Sequence, residues 1–172
     1  MFVDLALLMS LAAGCGGTPM EQQVPMLRER GFARTVDTLG VEGIVTAPAA
    51  KVWEALPAVL TDLGLDLNFR EPATRRVGTC YQKIRLRLAG DLLSTFLECG
   101  DSRGMPNADR FEVALTVLTT VMPTGANTSK IYTFVLGVGT EAAGSTRDRL
   151  WCFSKGALEE RIRNRVEERT RA

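Results

Sequence analysis

Along the chain the alternation of apolar and polar positions changes character several times, and each change marks an element. Val41-Glu42-Gly43-Ile44-Val45-Thr46 is rich in β-branched residues and predicts a strand. It runs into Ala47-Pro48, and a proline so placed suits the start of a helix. Val52, Trp53, Leu56, Leu60 and Leu63 then recur at the period of one helical face, and Gly64 supplies a stop. Pro57 falls inside this helix. It lacks an N–H and crowds the preceding turn, which predicts a kink or a division into two shorter helices.

Leu65 to Arg70 alternates as a half-buried strand does, with Arg75 to Thr79 as its hairpin partner. Lys83 to Leu88 alternates again, placing Ile84, Leu86 and Leu88 on one face and Lys83, Arg85 and Arg87 on the other. That basic row reads as a solvated sheet face, with an acidic headgroup or partner as the sharper alternative. The strongest pattern is Phe111 to Met122 followed by Lys130 to Thr140, two β-rich runs joined by a turn-forming segment, which predicts an antiparallel hairpin. Phe111, Val113, Leu115, Val117 and Val121 share one face of the first strand. Tyr132, Phe134, Leu136 and Val138 share one face of the second, with Gly137 and Gly139 opposite them. The two glycines predict a bend, a bulge or the close approach of another backbone, of which the bend is the simplest account.

Leu150-Trp151-Cys152-Phe153 reads as a last strand, and Ser154 as a cap for the helix that follows. Leu158, Ile162 and Val166 form a narrow apolar stripe on that helix, and Glu159 with Arg163 is an oriented i,i+4 ion pair. The element order gives an α+β fold: an antiparallel sheet with a Pro-broken helix after the first strand, a C-terminal helix, and both helices on one face.

Composition narrows the chemistry. With 172 residues, 45% apolar and 24% charged, the chain has room for one globular domain. The formal net charge of +1 leaves no electrostatic footprint for nucleic acid. Histidine is absent, which removes the side chain most used for proton transfer near neutrality and the commonest metal ligand. Ser94 and Ser154 therefore have no histidine base, and Asp101 and Asp109 around Gly104 lack the spacing of a calcium loop. The cysteines lack the short paired spacings of zinc modules. No catalytic residue, metal or cofactor is assigned, and a carboxylate-based hydrolase requires two acids to meet in a pocket with perturbed ionisation.

Ahead of the domain, Leu5 to Ala13 reads LALLMSLAA, uncharged and too short to cross a hydrocarbon layer of roughly 30 Å as a helix. Its length suits the core of a signal peptide; the plainer alternative is a buried helix or strand. Leu11-Ala12-Ala13-Gly14-Cys15 resembles the lipobox of bacterial lipoproteins. That resemblance implies cleavage between Gly14 and Cys15, a diacylglyceryl group on Cys15, and a membrane anchor through it. Lipoprotein signal peptides carry Lys or Arg at their start, whereas Met1 to Asp4 here offers an aspartate. Each buried acyl methylene contributes roughly 0.8 kcal/mol, so such an anchor holds. Gly16 is no acidic retention signal, and by the same resemblance the protein belongs to the cell envelope, on the outer membrane facing the periplasm, with other envelope proteins as partners. The Gly-, Pro- and Gln-containing residues that follow read as a tether. The organisation expected is thus 1–14 signal peptide, 15–34 lipidated N-terminus and tether, and 35–172 one α+β domain.

An exported chain meets an oxidising compartment, where Cys80, Cys99 and Cys152 allow one disulfide and one left-over thiol. Cys80 has the parity of Ile84, Leu86 and Leu88, which predicts a buried thiol. Cys99 sits beside Gly100 in a turn and Cys152 opens the last helical segment, so Cys99–Cys152 is the expected bridge.

Residues 41–56, from Val41 to Leu56, resemble the opening of helix-grip domains: the START and polyketide-cyclase-like proteins, and the lipoprotein of the outer-membrane barrel-assembly machinery. The match spans about sixteen residues and the coarse element order. It implies an apolar ligand carried between sheet and broken helix, in a pocket around Trp53, Phe134 and Leu136. The last helix here is shorter and more charged than in the ligand-binding families. The leading expectation is a non-enzymatic interaction or assembly module held at a membrane; the alternatives are that carrier and the hydrolase.

Overall fold

The structure, a computed structural model, describes residues 40–141 and 149–171. Gly14, Cys15 and the tether lie outside the described residues. Strand β1 (Val41–Val45) leads through Pro48 into helix α1 (Ala49–Asp62). After β2 (Phe69–Glu71) and β3 (Arg76–Arg85) comes an excursion of short elements. These are β4 (Arg87–Leu88), β5 (Asp91–Leu92), β6 (Leu97–Glu98), β7 (Asp101–Ser102), β8 (Met105–Pro106) and the single turn α2 (Asn107–Arg110). The hairpin β9 (Glu112–Pro123) and β10 (Ser129–Thr140), strand β11 (Arg149–Ser154) and helix α3 (Ala157–Arg171) complete the domain. The fold is α+β with an antiparallel sheet, as the sequence pattern predicts.

The sheet is organised on β10. One edge pairs with β9 in unbroken register from Ser129 opposite Pro123 to Thr140 opposite Glu112. Its other edge is divided between two strands. β1 takes Ser129 to Thr133, β11 takes Leu136 to Thr140, and Phe134 and Val135 fall in between. Val117, Ile131 and Val135 point to the face on which α1 lays Val52, Leu56 and Leu60 and α3 lays Leu158, Ile162 and Val166. All three α3 side chains are fully buried, each burial contributing about 2 kcal/mol. Helix α1 runs through Pro57 as one element and does not divide. Burial of Val52, Leu56, Val59 and Leu60 on its inner face offsets the missing hydrogen bond.

Local strand periodicity fails in two places. Between Thr79 and Gln82 the register of β3 on β9 slips by a bulge. Tyr81 there has φ 56°, and its N–H donates to the Thr116 hydroxyl at 3.2 Å. The extra residue reverses the parity, so Cys80 does not share the face of Ile84; it is half-buried, and it is not a free thiol. The expected left-over thiol is thereby corrected. Leu86 is the second departure. At φ 65° it ends β3, and its side chain is exposed rather than aligned with buried Ile84 and Leu88. Lys83, Arg85 and Arg87 are exposed as expected. The stretch 65–68 is not a strand but is tied to β3 by side chains. Asn68 donates to the Cys80 carbonyl at 2.9 Å and accepts from the Cys80 N–H at 2.7 Å, while Gln82 accepts from the Asp66 N–H at 3.0 Å.

Cys99 and Cys152 form the disulfide, 53 residues apart in sequence, with Cys152 inside β11 rather than at the start of a helix. Gly137 and Gly139 explain how it fits. A Cβ at Gly137 would lie 2.8 Å from a Val113 methyl and 3.0 Å from the Cys152 Cβ; at Gly139 it would meet the Phe111 ring and the Cys152 sulfur at 3.3 and 3.4 Å. The glycines are thus filled over by neighbouring side chains, a close approach rather than a bend. Replacing both cysteines by alanine is expected to destabilise the domain by about 4 kcal/mol for this loop length. A lower urea midpoint checks this, and an unchanged midpoint would show that the bond adds nothing to stability.

Candidate functional site

The parting of β1 and β11 along β10 leaves a cleft of about 540 Å³ between β1 and the first turn of α3. Val41, Gly43 and Ile131 supply apolar and backbone walls, and Thr133, Glu159 and Arg163 the polar ones. Sequence places Glu159 at the third position of α3, since the Gly156 carbonyl accepts the first helical bond, from the Glu160 N–H at 3.0 Å. A glutamate there commonly reaches back to the N–H of the cap residue. Here the Gly156 N–H is taken by the Ser154 hydroxyl at 3.0 Å, so Ser154 shapes the turn and Glu159 loses its usual partner.

Glu159 is 3% exposed, and among the described residues neither carboxyl oxygen has a hydrogen-bond partner. Burial raises its pKa above the ordinary 4.5, partly offset by the nearby Ser154 hydroxyl and by its own amide. The expected ion pair with Arg163 does not form. Arg163 lies instead across Gly43 and reaches Glu160 at 3.7 Å. A Cβ on Gly43 would sit 2.6 Å from the Arg163 Cδ, so the absence of a side chain there gives this arginine its path. Beneath the cleft, the Thr133 hydroxyl bonds that of Thr119 at 3.1 Å, a polar link in the otherwise apolar inner face.

A second cleft of about 560 Å³ lies between the end of α1 and the outer half of α3. Its charges are matched: Arg169 meets Asp62 at 2.7 Å, Arg165 meets Glu168 at 3.3 Å, and Arg161 meets Asp91 at 2.6 Å. Nothing there is left to recognise a charged ligand.

The residues expected around an apolar pocket are not brought together. Trp53 packs against the core from α1, with the Arg70 guanidinium 5.0 Å above its ring. Phe134 and Leu136 belong to the opposite face of the sheet, in register with Leu118 and Thr116. Asp101 and Asp109 are also apart in role. The Asp109 carboxylate accepts from the Ser94 N–H and hydroxyl at 2.8 and 2.7 Å, which pins the excursion and occupies Ser94. Among the described residues no three acidic or cysteine side chains gather to hold a metal, and no helix is long and apolar enough to cross a membrane. Compared with known proteins, the chain matches no family model, no curated protein and no solved structure.

Glu159 was hidden by the pattern that revealed the helix. Leu158, Ile162 and Val166 mark a stripe four residues apart, and an acidic residue beside it reads as solvated. The one available signal was its place at the helix start after a Ser-Lys-Gly turn.

The raised pKa fixes the sign of a pH effect. The folded state holds the Glu159 proton more tightly than the unfolded chain, so this group's stabilising contribution is complete below pH 4.5 and is lost as pH rises through the folded pKa. Glu159→Gln carries no such proton. Its stability relative to the parent is expected to improve as pH rises above 4.5 and then level off. Urea titrations across pH measure this, and a difference that stays flat would mean the carboxyl is solvated or paired.

Proposed function

We propose that the protein is an exported module of a bacterial envelope that works by binding other molecules rather than by catalysis. The observation that carries this reading is the Cys99–Cys152 disulfide within the core. Such bonds persist in oxidising compartments, which is where a signal peptide ahead of Cys15 would deliver the domain. Binding is favoured over hydrolysis because the hydroxyl nearest Glu159, that of Ser154, is engaged by the Gly156 N–H in the turn, and the other acids of the cleft, Glu42 and Glu160, face Lys130 and Arg163. Other envelope proteins are the partners this reading implies, with the outer membrane as its site.

Intact-mass and peptide-mapping spectra of the protein isolated from its own cells, without reductant, test export. The expected result is a mature chain that lacks the apolar segment 5–13 and has Cys99 linked to Cys152. An unprocessed N-terminus, or reduced Cys99 and Cys152, would overturn it.

A further inference from the structure

We infer that the cleft between β1 and α3 is a binding site for a primary alkylammonium group, with the Glu159 carboxylate as its acceptor and Val41 and Ile131 as the bed for its alkyl chain. The inference does not rest on the export reading. It starts from an imbalance. The charged groups of the cleft are Glu42 on β1 and Glu159, Glu160 and Arg163 on α3. Glu42 is neutralised by Lys130 at 3.0 Å and Glu160 is approached by Arg163 at 3.7 Å. Glu159 alone has no partner, and it is the most buried of them.

A buried, unsatisfied carboxyl on the wall of a cleft is corrected by a ligand that carries positive charge and hydrogen-bond donors together. An ammonium does both. A carboxylate or phosphate, which the helix N-terminus and Arg163 would otherwise attract, meets repulsion from Glu159 at the inner wall. A metal ion would find one carboxylate not already facing a cation and a threonine hydroxyl already bonded to Thr119, too few ligands for a hard cation. Both Glu159 oxygens are closed off from solvent, so binding requires a side chain to move aside, and the flexible Arg163, 34% exposed and lying over Gly43, yields more readily than backbone does.

The test titrates n-butylammonium, butanoate and 1-butanol separately into the ¹⁵N-labelled full chain, up to about 10 mM each, and follows backbone amide shifts. The expected result is saturable movement of Gly43, Thr133 and Gly156 with butylammonium alone. Glu159→Gln, which keeps the size of the side chain and removes its charge, is expected to weaken that binding at least about tenfold. Stronger binding of butanoate or equal binding of butanol would overturn the proposal, as would butylammonium shifts that survive in Glu159→Gln. Absence of any shift over this range would overturn it too.

Discussion

Everything in this domain hangs on strand β10 and on how its two edges are used. Toward β9 it offers a ladder without interruption, so the hairpin can form from residues close in sequence and its register is fixed over its full length. Toward the other side it must accommodate the first strand and the last, end to end. Neither is long enough to occupy the edge alone. The gap between them is the reason the first turn of α3, which follows β11 directly, comes to lie beside β1.

This arrangement makes the start of α3 a compromise. Leu158 and Ile162 have to reach the inner face of the sheet, which drags the neighbouring Glu159 below the surface. The helix N-terminus softens the cost, because its unpaired amides favour negative charge, but desolvation still wins in the balance of effects on the carboxyl. Deep aliphatic burial a turn further along holds the helix in place regardless. Stability thus comes from Ile162 and Val166, while the polar irregularity that gives the cleft its character comes from one residue riding beside them.

Much of this fold can be read in the sequence where a long run of residues votes for the same period. The β9–β10 hairpin is the best case, since each strand extends well past the length at which turns or packing could disguise it. Helix α1 is legible despite Pro57 because the apolar stripe continues on both sides of it. Legibility ends where one residue breaks the count. A single inserted position at the β3 bulge changes the face of Cys80, and a left-handed Leu86 ends a strand whose alternation continues on paper. The pocket expected around Trp53, Phe134 and Leu136 shows the same limit on a larger scale: each residue is apolar and on a regular element, but parity within β10 does not say which face the helices cover. Glu159 was illegible for a different reason. Its burial is set by contacts between α3 and the sheet, and a helical wheel of α3 alone shows only a charged residue next to a stripe.

The disulfide has a less visible partner in the two glycines of β10. Space above Gly137 and Gly139 is taken by Cys152, Val113, Leu97 and Phe111, so a Cβ would be crowded at Gly137 and tightly held at Gly139. Giving up the cystine would ease Gly139, where the sulfur is a neighbour, but not Gly137, whose closest neighbours are the Val113 methyl and the Cβ of residue 152, which every residue but glycine keeps.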